Sequence, residues 1–582
     1  MGSFKLILGF FAITAIVFAM AGGCSPEFNK ADADKEVYKI IDSKWKNGFG
    51  QKANYIIADS NIPSPNDVNI DITLAETQPE PISLAEAVAI ATKYNRDYQT
   101  QKENLYLSAL SLTGERYKYA LKWFGTVDYD YTRNGKEVFE SKTKYWPRRT
   151  VTKEKWENAE TETLEAQIGV QKTFITPEGI LLNTNLAFDW LRFLSGDPDT
   201  TLVGILSGTL DIPLLGNGGG KLAWENLTQA ERVVLYQIRT FNRFRQTFVV
   251  SIINEYYGVL RQKDSVNNAK NNWNSSVEYR KQAELEAKCG RTPAYQVDQA
   301  RQRELDAYNG YVTALQRYEQ SLDFFKIQLT IPITTPIELD QNELVALGTT
   351  ATSEPNFTVD DAIDTALQCR LDLANSYNII EDAHRKVVLA SQGLGVQLDL
   401  SASAKVKTER DTDIDNFEFN KGTYNLGIHA DLPFDRKNQR NIYREALIIL
   451  ERRQREYSND IDSVVLDVRQ AYRLLLSTAE QYLTQKKSLA LAEDRVKNMP
   501  VLLKSGRAQI RDLLDAQDSL LEAQNDLTSA LVGHTIAILS FYRDIGILQV
   551  RPDGMWEQSQ TTVSRNQTNE RESNNQSSRD NI

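Results

Sequence analysis

Cys24 is the first residue whose chemistry can be read. It stands behind Ala21-Gly22-Gly23 and an apolar run from Leu6 to Met20, with Lys5 ahead of that run. Small residues after a short apolar core mark a signal-peptide cleavage site. A cysteine at the new terminus offers a thiol to a lipid, and the segment resembles a lipobox with Ala21 in place of the usual aliphatic residue. The run is also shorter than the roughly 20 residues a spanning helix needs. Residues 1–23 thus read as a lipoprotein-type signal peptide, and a covalent lipid on Cys24 is the one attached group expected. Asp512 and Asp515, at i and i+3, share a helix face. Arg507 and Arg511 flank them. Their plain reading is a solvated acidic pair. His384, His429 and His534 are scattered without ligand spacing, so no metal site is expected. Gly218-Gly219-Gly220 before Lys221 lacks the leading Gly and trailing Ser or Thr of a phosphate loop. There is no nucleophile elbow. The chain reads as a non-enzyme without a cofactor.

The 582 residues carry 67 Lys and Arg against 78 Asp and Glu, a formal charge of −11. An acidic chain is a poor nucleic-acid binder, because backbone affinity needs clustered cations. A mean hydropathy of −0.44 excludes a polytopic helical membrane protein. Cys289 and Cys369 lie in different repeats and imply no disulfide framework. Sixteen prolines are few, and the longest stretches have none, which favours long helices.

The elements positioning these residues come in two copies. Ser83-Leu-Ala-Glu-Ala-Val-Ala-Ile-Ala91 matches Thr358-Val-Asp-Asp-Ala-Ile-Asp-Thr-Ala366 at an offset of 275 residues. Each opens with a capping-box pattern, Ser83 with Glu86 and Thr358 with Asp361. Apolar residues follow at i, i+3, i+4 and i+7, the face of an amphipathic helix. Later in each copy Gly290-Arg291 matches Gly506-Arg507 at an offset of 216. Ala300, Ala307, Asn309, Ala314 and Phe325 match Ala516, Ala523, Asn525, Ala530 and Phe541 at that offset. The first copy therefore carries about 59 extra residues between its helical ends, the difference of the two offsets.

Between those ends lie strands and then a long helix. Thr126–Arg133, Leu164–Ile175, Gly179–Arg192 and Thr201–Ile212 alternate with period two in the first copy, as do Val396–Lys407 and Thr423–Leu432 in the second, and Leu164–Ile175 with Gly179–Arg192 reads as a hairpin around Pro177-Glu178. Runs of about 10 alternating residues between polar loops are the signature of transmembrane β-strands. Four to six such strands cannot close a membrane barrel, which takes at least eight, and an open edge cannot face lipid. Several copies must then share one barrel. Pro213 and Pro433 mark the strand-to-helix turns. Polar, heptad-like helices follow, from about Leu222 to Lys288 and from about Asn441 to Asn498. The first, at 1.5 Å per residue, is on the order of 100 Å long, a coiled-coil rod.

The whole plan resembles the TolC-like family of outer membrane efflux proteins. The motifs carrying the resemblance are Ser83-Leu-Ala-Glu-Ala, Pro213-Leu-Leu with Gly216 and Gly218 to Gly220, Pro433-Phe-Asp, Gly290-Arg291 with Val297, Asp298 and Ala300, and Gly506-Arg507 with Asp512-Leu513-Leu514-Asp515-Ala516. They cover about residues 80 to 550. The resemblance implies an α+β membrane protein, a homotrimer sharing one transmembrane β-barrel and a long periplasmic α-helical barrel. It implies a lipid-anchored outer-membrane exit duct, fed by an inner-membrane transporter through a periplasmic adaptor of the membrane-fusion type. It places the adaptor-docking tip turns at Gly290, Arg291, Gly506 and Arg507, and a periplasmic gate at Asp512, Asp515, Arg507 and Arg511. Repeated three times, those aspartates would form a ring favouring cations. The family's gate arginine follows the position of Arg507, where this chain has Ala508. Family members mostly have two strands per repeat; the surplus in the first copy, around 134 to 200, implies an added hairpin. A lipid-anchored coiled-coil adaptor or scaffold is the alternative, and duplication opposes it.

The expected organisation is a signal peptide over 1–23, an extended linker over 24–80, repeat 1 over 81–345 with strands about 123–212, repeat 2 over 346–550 with strands about 396–432, and a disordered polar tail over 551–582.

Overall fold

A computed structural model describes residues 25–46, 52, 55–57, 81–145, 148–175, 180–193, 200–215, 220–290, 292–350, 357–408, 417–432, 435–505, 507–551 and 556–558. Cys24, Arg291, Pro433, Gly506 and the signal segment lie outside them. The chain divides into two units. One comprises residues up to Val37, Ser108–Val234 and Asn378–Gln454; the other takes Tyr38–Leu107, Leu235–Tyr377 and the chain from Arg455 onward.

The first unit holds a single antiparallel sheet of six strands in chain order. These are β1 (Lys122–Tyr145), β2 (Arg148–Ile175), β3 (Leu181–Phe193), β4 (Thr200–Leu215), β5 (Gln397–Lys407) and β6 (Thr423–Asp431). Register keeps one set of residues on one face. Val170, Leu186, Leu206, Val406 and Tyr424 fall on one side; Gln171, Asn185, Ser207, Lys405 and Thr423 fall on the other. Along β6 the alternation is complete, with Tyr424, Leu426, Ile428 and Ala430 opposed to Thr423, Asn425, Gly427, His429 and Asp431. Every β6 residue is exposed, Leu426 at 76% and Ile428 at 69%. Beyond Asp130 and Thr163, where β3 ends, β1 and β2 pair only with each other as far as Tyr145 and Arg148. Within the wide part of the sheet, Phe124 lies over Gly169 on the facing strand, so closely that a Cβ there would meet its ring.

Pro213 sits differently from the turn assigned to it. It pairs with Asp399 inside β4, at a register shift before Leu215. Proline has no N–H to give a ladder, and a bulge is where a strand tolerates that loss.

The second unit is helical. Its main elements are α2 (Leu84–Tyr94), α3 (Arg96–Tyr117), α4 (Gly220–Lys288), α5 (Ala294–Leu329), α6 (Asn342–Thr350), α7 (Val359–Cys369), α8 (Leu371–Gln392), α9 (Lys437–Lys504) and α10 (Ile510–Asp544); α3, α4, α8 and α9 also run into the first unit. Ser83 accepts from the Glu86 N–H while Glu86 accepts from the Ser83 N–H, a full capping box at the head of α2. Thr358 makes the forward bond to the Asp361 N–H at the head of α7. The apolar stripe that follows each cap is the core. Ala362, Ala366, Val464, Val468, Phe541 and Ile545 cluster in repeat 2. Ala87, Val88, Ala91, Phe325 and Leu329 are equally buried in repeat 1. Each fully buried large apolar side chain contributes about 1.5–3 kcal/mol. Among the described residues no helix is long and apolar enough to cross a membrane.

Three boundaries differ from the sequence reading. The segment after Cys24 is not all extended, since Pro26–Lys44 forms a helix, α1, with Val37, Ile40 and Ile41 buried. Its apolar residues at i, i+3 and i+4 are too few to stand out among polar neighbours. α9 runs through Pro500 to Lys504 rather than stopping before it. Proline costs one backbone bond there, near an end where few remain to be lost. The polar tail contributes β8 (Trp556–Gln558), which pairs with β7 (Leu548–Val550).

Candidate functional site

Two helical returns, one per repeat, meet at one end of the second unit. α4 stops at Lys288, and Gly290 follows with φ +70. No atom would obstruct a Cβ at Gly290, so its backbone conformation alone calls for glycine. Its N–H closes onto the Ala287 carbonyl at 2.9 Å. Pro293 then precedes α5 in an extended conformation that its ring already favours. The second return closes with the Arg507 N–H on the Leu502 carbonyl at 2.9 Å. Ala283, Val297, Ala300, Ile510 and Leu514 form one buried cluster, with Leu503 packed against it. The ends of α4 and α9 and the starts of α5 and α10 are thereby held together.

The four charged residues singled out by sequence do not form one network. Asp512 is the N3 acid of α10. Its Oδ2 accepts from the Gln509 N–H at 2.9 Å, half of a reciprocal cap. A carboxylate there also meets the positive end of the helix dipole. Asp515 lies one turn on, exposed, with Arg511 Nε at 3.7 Å from its Oδ2. Arg507 is exposed on the return itself. Asp515 and Arg511 line a cavity of about 300 Å³ together with Gln299, Gln302, Arg303, Asp306, Leu514 and Asp518. Ion pairs that sequence reasoning missed surround this end. Arg303 pairs with Asp518, and Arg280 pairs with both Glu304 and Glu284. Arg301 also reaches Glu284, at 3.1 Å, and Arg301 with Arg280 holds that carboxyl below its usual range. The Arg280–Glu284 spacing of i, i+4 was a readable signal. The cross-helix pair of Arg303 and Asp518 had none. Asp298 faces Arg301 at 3.7 Å on its own helix.

The histidines stay apart. His429 lies on β6, and His534 is buried with Nδ1 3.3 Å from the Thr478 hydroxyl. Among the described residues no group of His, Cys, Asp or Glu is placed to hold a metal ion. Cys289 and Cys369 are free and exposed.

A duplicated set of long helical returns, joined in one chain to a one-faced antiparallel sheet, defines the fold of the outer-membrane efflux channels. Residues 362–541 match the family model described as outer membrane efflux protein, as the sequence resemblance implies. The fold is shared with CusC, whose structures concern transmembrane channel formation, at 13% identity and a TM-score of 0.55, over 80% of this chain and 92% of that one. It is shared with the CmeC outer membrane channel of Campylobacter jejuni, at 14% identity and a TM-score of 0.53, over 83% and 88%. The open-state MtrE outer membrane channel of Neisseria gonorrhoeae aligns at 13% identity and a TM-score of 0.53, over 80% and 88%. No curated protein sequence matches the chain.

Proposed function

We propose that this chain is the outer-membrane exit duct of a multi-component export system, a homotrimer whose helices stand in the periplasm. Substrate delivered by an inner-membrane transporter through a periplasmic adaptor passes without any bond being made or broken. Cys24 carries the lipid that anchors the mature chain. The observation that carries this reading is the sheet. Along β6, Leu426 and Ile428 are exposed on one face while Thr423, Asn425, His429 and Asp431 lie on the other, the pattern of a wall between lipid and a wet lumen. Trp123 and Tyr424, near opposite ends of the wall, are 73% and 58% exposed, as aromatic girdles are.

The paired helical returns are the adaptor-docking tip, through Gly290, Arg291, Gly506 and Arg507. Asp515 is the gate residue best supported by geometry, because it is exposed beside the cavity and not used as a cap. Asp512 holds its helix start as well, and Arg511 balances Asp515 within a copy. A ring of three Asp515 carboxylates would concentrate cations at the constriction.

The test is single-channel conductance of the detergent-purified protein in planar bilayers, with oligomeric mass measured on the same sample. Discrete pores from a trimer are expected; a monomer without pores overturns the duct. Asp515→Asn in the same bilayers is expected to lower cation selectivity, and unchanged selectivity removes the gate assignment.

A further inference from the structure

The surplus strands of the first repeat have a place in the molecule. Resting on the exit-duct reading, we propose that the β1–β2 hairpin is part of the barrel wall, and that copies join edge to edge, β6 of one against β1 of the next. Three copies of six strands would then close an 18-stranded barrel.

Four observations carry this. First, β2 pairs with β3 continuously from Thr163↔Phe193 to Ile175↔Leu181, so the β1–β2 hairpin is laddered into the sheet rather than hung beside it. Second, the faces stay in phase across that ladder. Ile168, Val170 and Phe174 continue the apolar side, with Ile168 48% and Phe174 43% exposed; Lys172, paired with Thr184 and with its ammonium over the Phe174 ring, is the one charged residue among them. Gln171 and Thr173 continue the polar side. A hairpin lying outside the wall would have no reason to keep that phase. Third, the directions fit. β1 leaves the helical end of the sheet and β6 returns to it, so the edges meet antiparallel, the order a membrane barrel needs. Lys122 begins β1 and Asp431 ends β6, both on the polar face and both at the helical end. An unstaggered seam sets these opposite charges against each other. Fourth, the β6 edge is undefended. From Thr423 to Ala430 it has no Lys, Arg, Asp, Glu or Pro, the devices that keep edge strands from pairing. Its nine residues match the length of a tilted membrane strand.

Two consequences follow. A barrel of about 16–18 strands leaves an aqueous channel. The part of the β1–β2 hairpin that pairs only with itself emerges on the side away from the helices. Its sequence, with Arg133, Lys136, Glu137, Lys153, Glu154 and Glu157, suits water and not lipid.

Disulfide trapping tests the seam. In a full-length Cys289→Ser, Cys369→Ser background, Lys122→Cys is combined with Asp431→Cys, and Thr126→Cys with Gly427→Cys or Asn425→Cys. A comparison set joins β3 to β6 through Asn183→Cys with His429→Cys. Native mass is measured on each sample, and mild oxidation is followed by a denaturing, non-reducing gel. Covalent dimers and trimers from β1–β6 pairs, absent from the single cysteines, are expected. Trapping through β3 overturns the seam and expels the hairpin from the wall, leaving the trimeric duct intact. Intact trimers with no β1–β6 trapping overturn it also. A monomeric sample overturns the duct reading, and the seam with it.

Discussion

The two repeats solve the same junction differently. At the offset of 275, Asn95 and Arg370 both cap the helix that opens their repeat, and both are buried. Asn95 works with neutral bonds. Its Oδ1 accepts from the Tyr98 N–H at 3.0 Å and its Nδ2 donates to the Gln328 carbonyl at 2.8 Å. Arg370 works with charge, forking onto Asp372 at 2.7 and 3.1 Å and reaching Asp467 at 3.0 Å. At the offset of 216, Thr330 and Gly546 both stand in the left-handed region, at φ 59 and φ 81. The backbone path is held constant while the side-chain means of holding it has diverged. What duplication preserves is therefore geometry, and the chemistry at each position is set by its own neighbours.

The largest difference should appear at the caps. Arg370→Ala removes three charge-assisted bonds and should cost about 2–3 kcal/mol. The cost is held to that because Asp372 and Asp467 are 43% and 46% exposed and can turn to water. Asn95→Ala loses two neutral bonds and should cost about 1–2 kcal/mol. Thermal unfolding of both variants by circular dichroism checks this; equal losses would mean that the charged network contributes nothing beyond a cap.

The left-handed pair should split in sign. A Cβ at Gly546 would lie 3.1 Å from the Cys369 carbonyl carbon, in a conformation L residues avoid. Gly546→Ala should therefore cost about 1–3 kcal/mol. Thr330 already bears that conformation with a β-branched side chain, so Thr330→Gly should be neutral to about 1 kcal/mol stabilising. A destabilised Thr330→Gly would show that the threonine side chain, and not the path, is what the site requires.

Legibility in the sequence followed the same division. The helix openings were readable because a cap and a stripe at i, i+3, i+4 and i+7 are local patterns. Gly290 was readable because a left-handed turn has few alternatives to glycine. The hairpin of β2 with β3 was readable too, from two alternating runs on either side of Pro177-Glu178. The long pairing of β1 with β2 out to Tyr145 and Arg148 was not, since strand periodicity fixes faces and leaves partners open. Pro213 looked like a turn because proline signals both turns and bulges, and only the partner strand separates them. Arg303 with Asp518 lies across two helices far apart in sequence, where no spacing rule applies. Asp512 was readable as an acid near a helix start, but its bond to Gln509 makes capping a sufficient reason for its presence.

The smallest expected effect isolates repeat 1 by pH. Lys102 is buried, its ammonium 5.2 Å from the Tyr98 ring, while Tyr377 at the matching offset is 52% exposed. Burial lowers the Lys102 pKa to about 8. In the unfolded chain it lies near 10.4. Below about pH 8 both states hold the proton, and the folded state bears the full cost of a buried charge. Above it the folded lysine is neutral while the unfolded one is still charged, so the unfolded state binds more protons. Stability must then rise with pH until about 10.4, where both are neutral. Other lysines and tyrosines begin to titrate in that range, so the informative quantity is the difference between the wild-type chain and Lys102→Met. That variant should be more stable near pH 7.5, with its advantage shrinking by at most about 2 kcal/mol as pH rises to about 9.5, and by less where solvent screens the ammonium. A constant difference across that window would mean that water reaches the ammonium, and that repeat 1 buries no charge where repeat 2 exposes an aromatic ring.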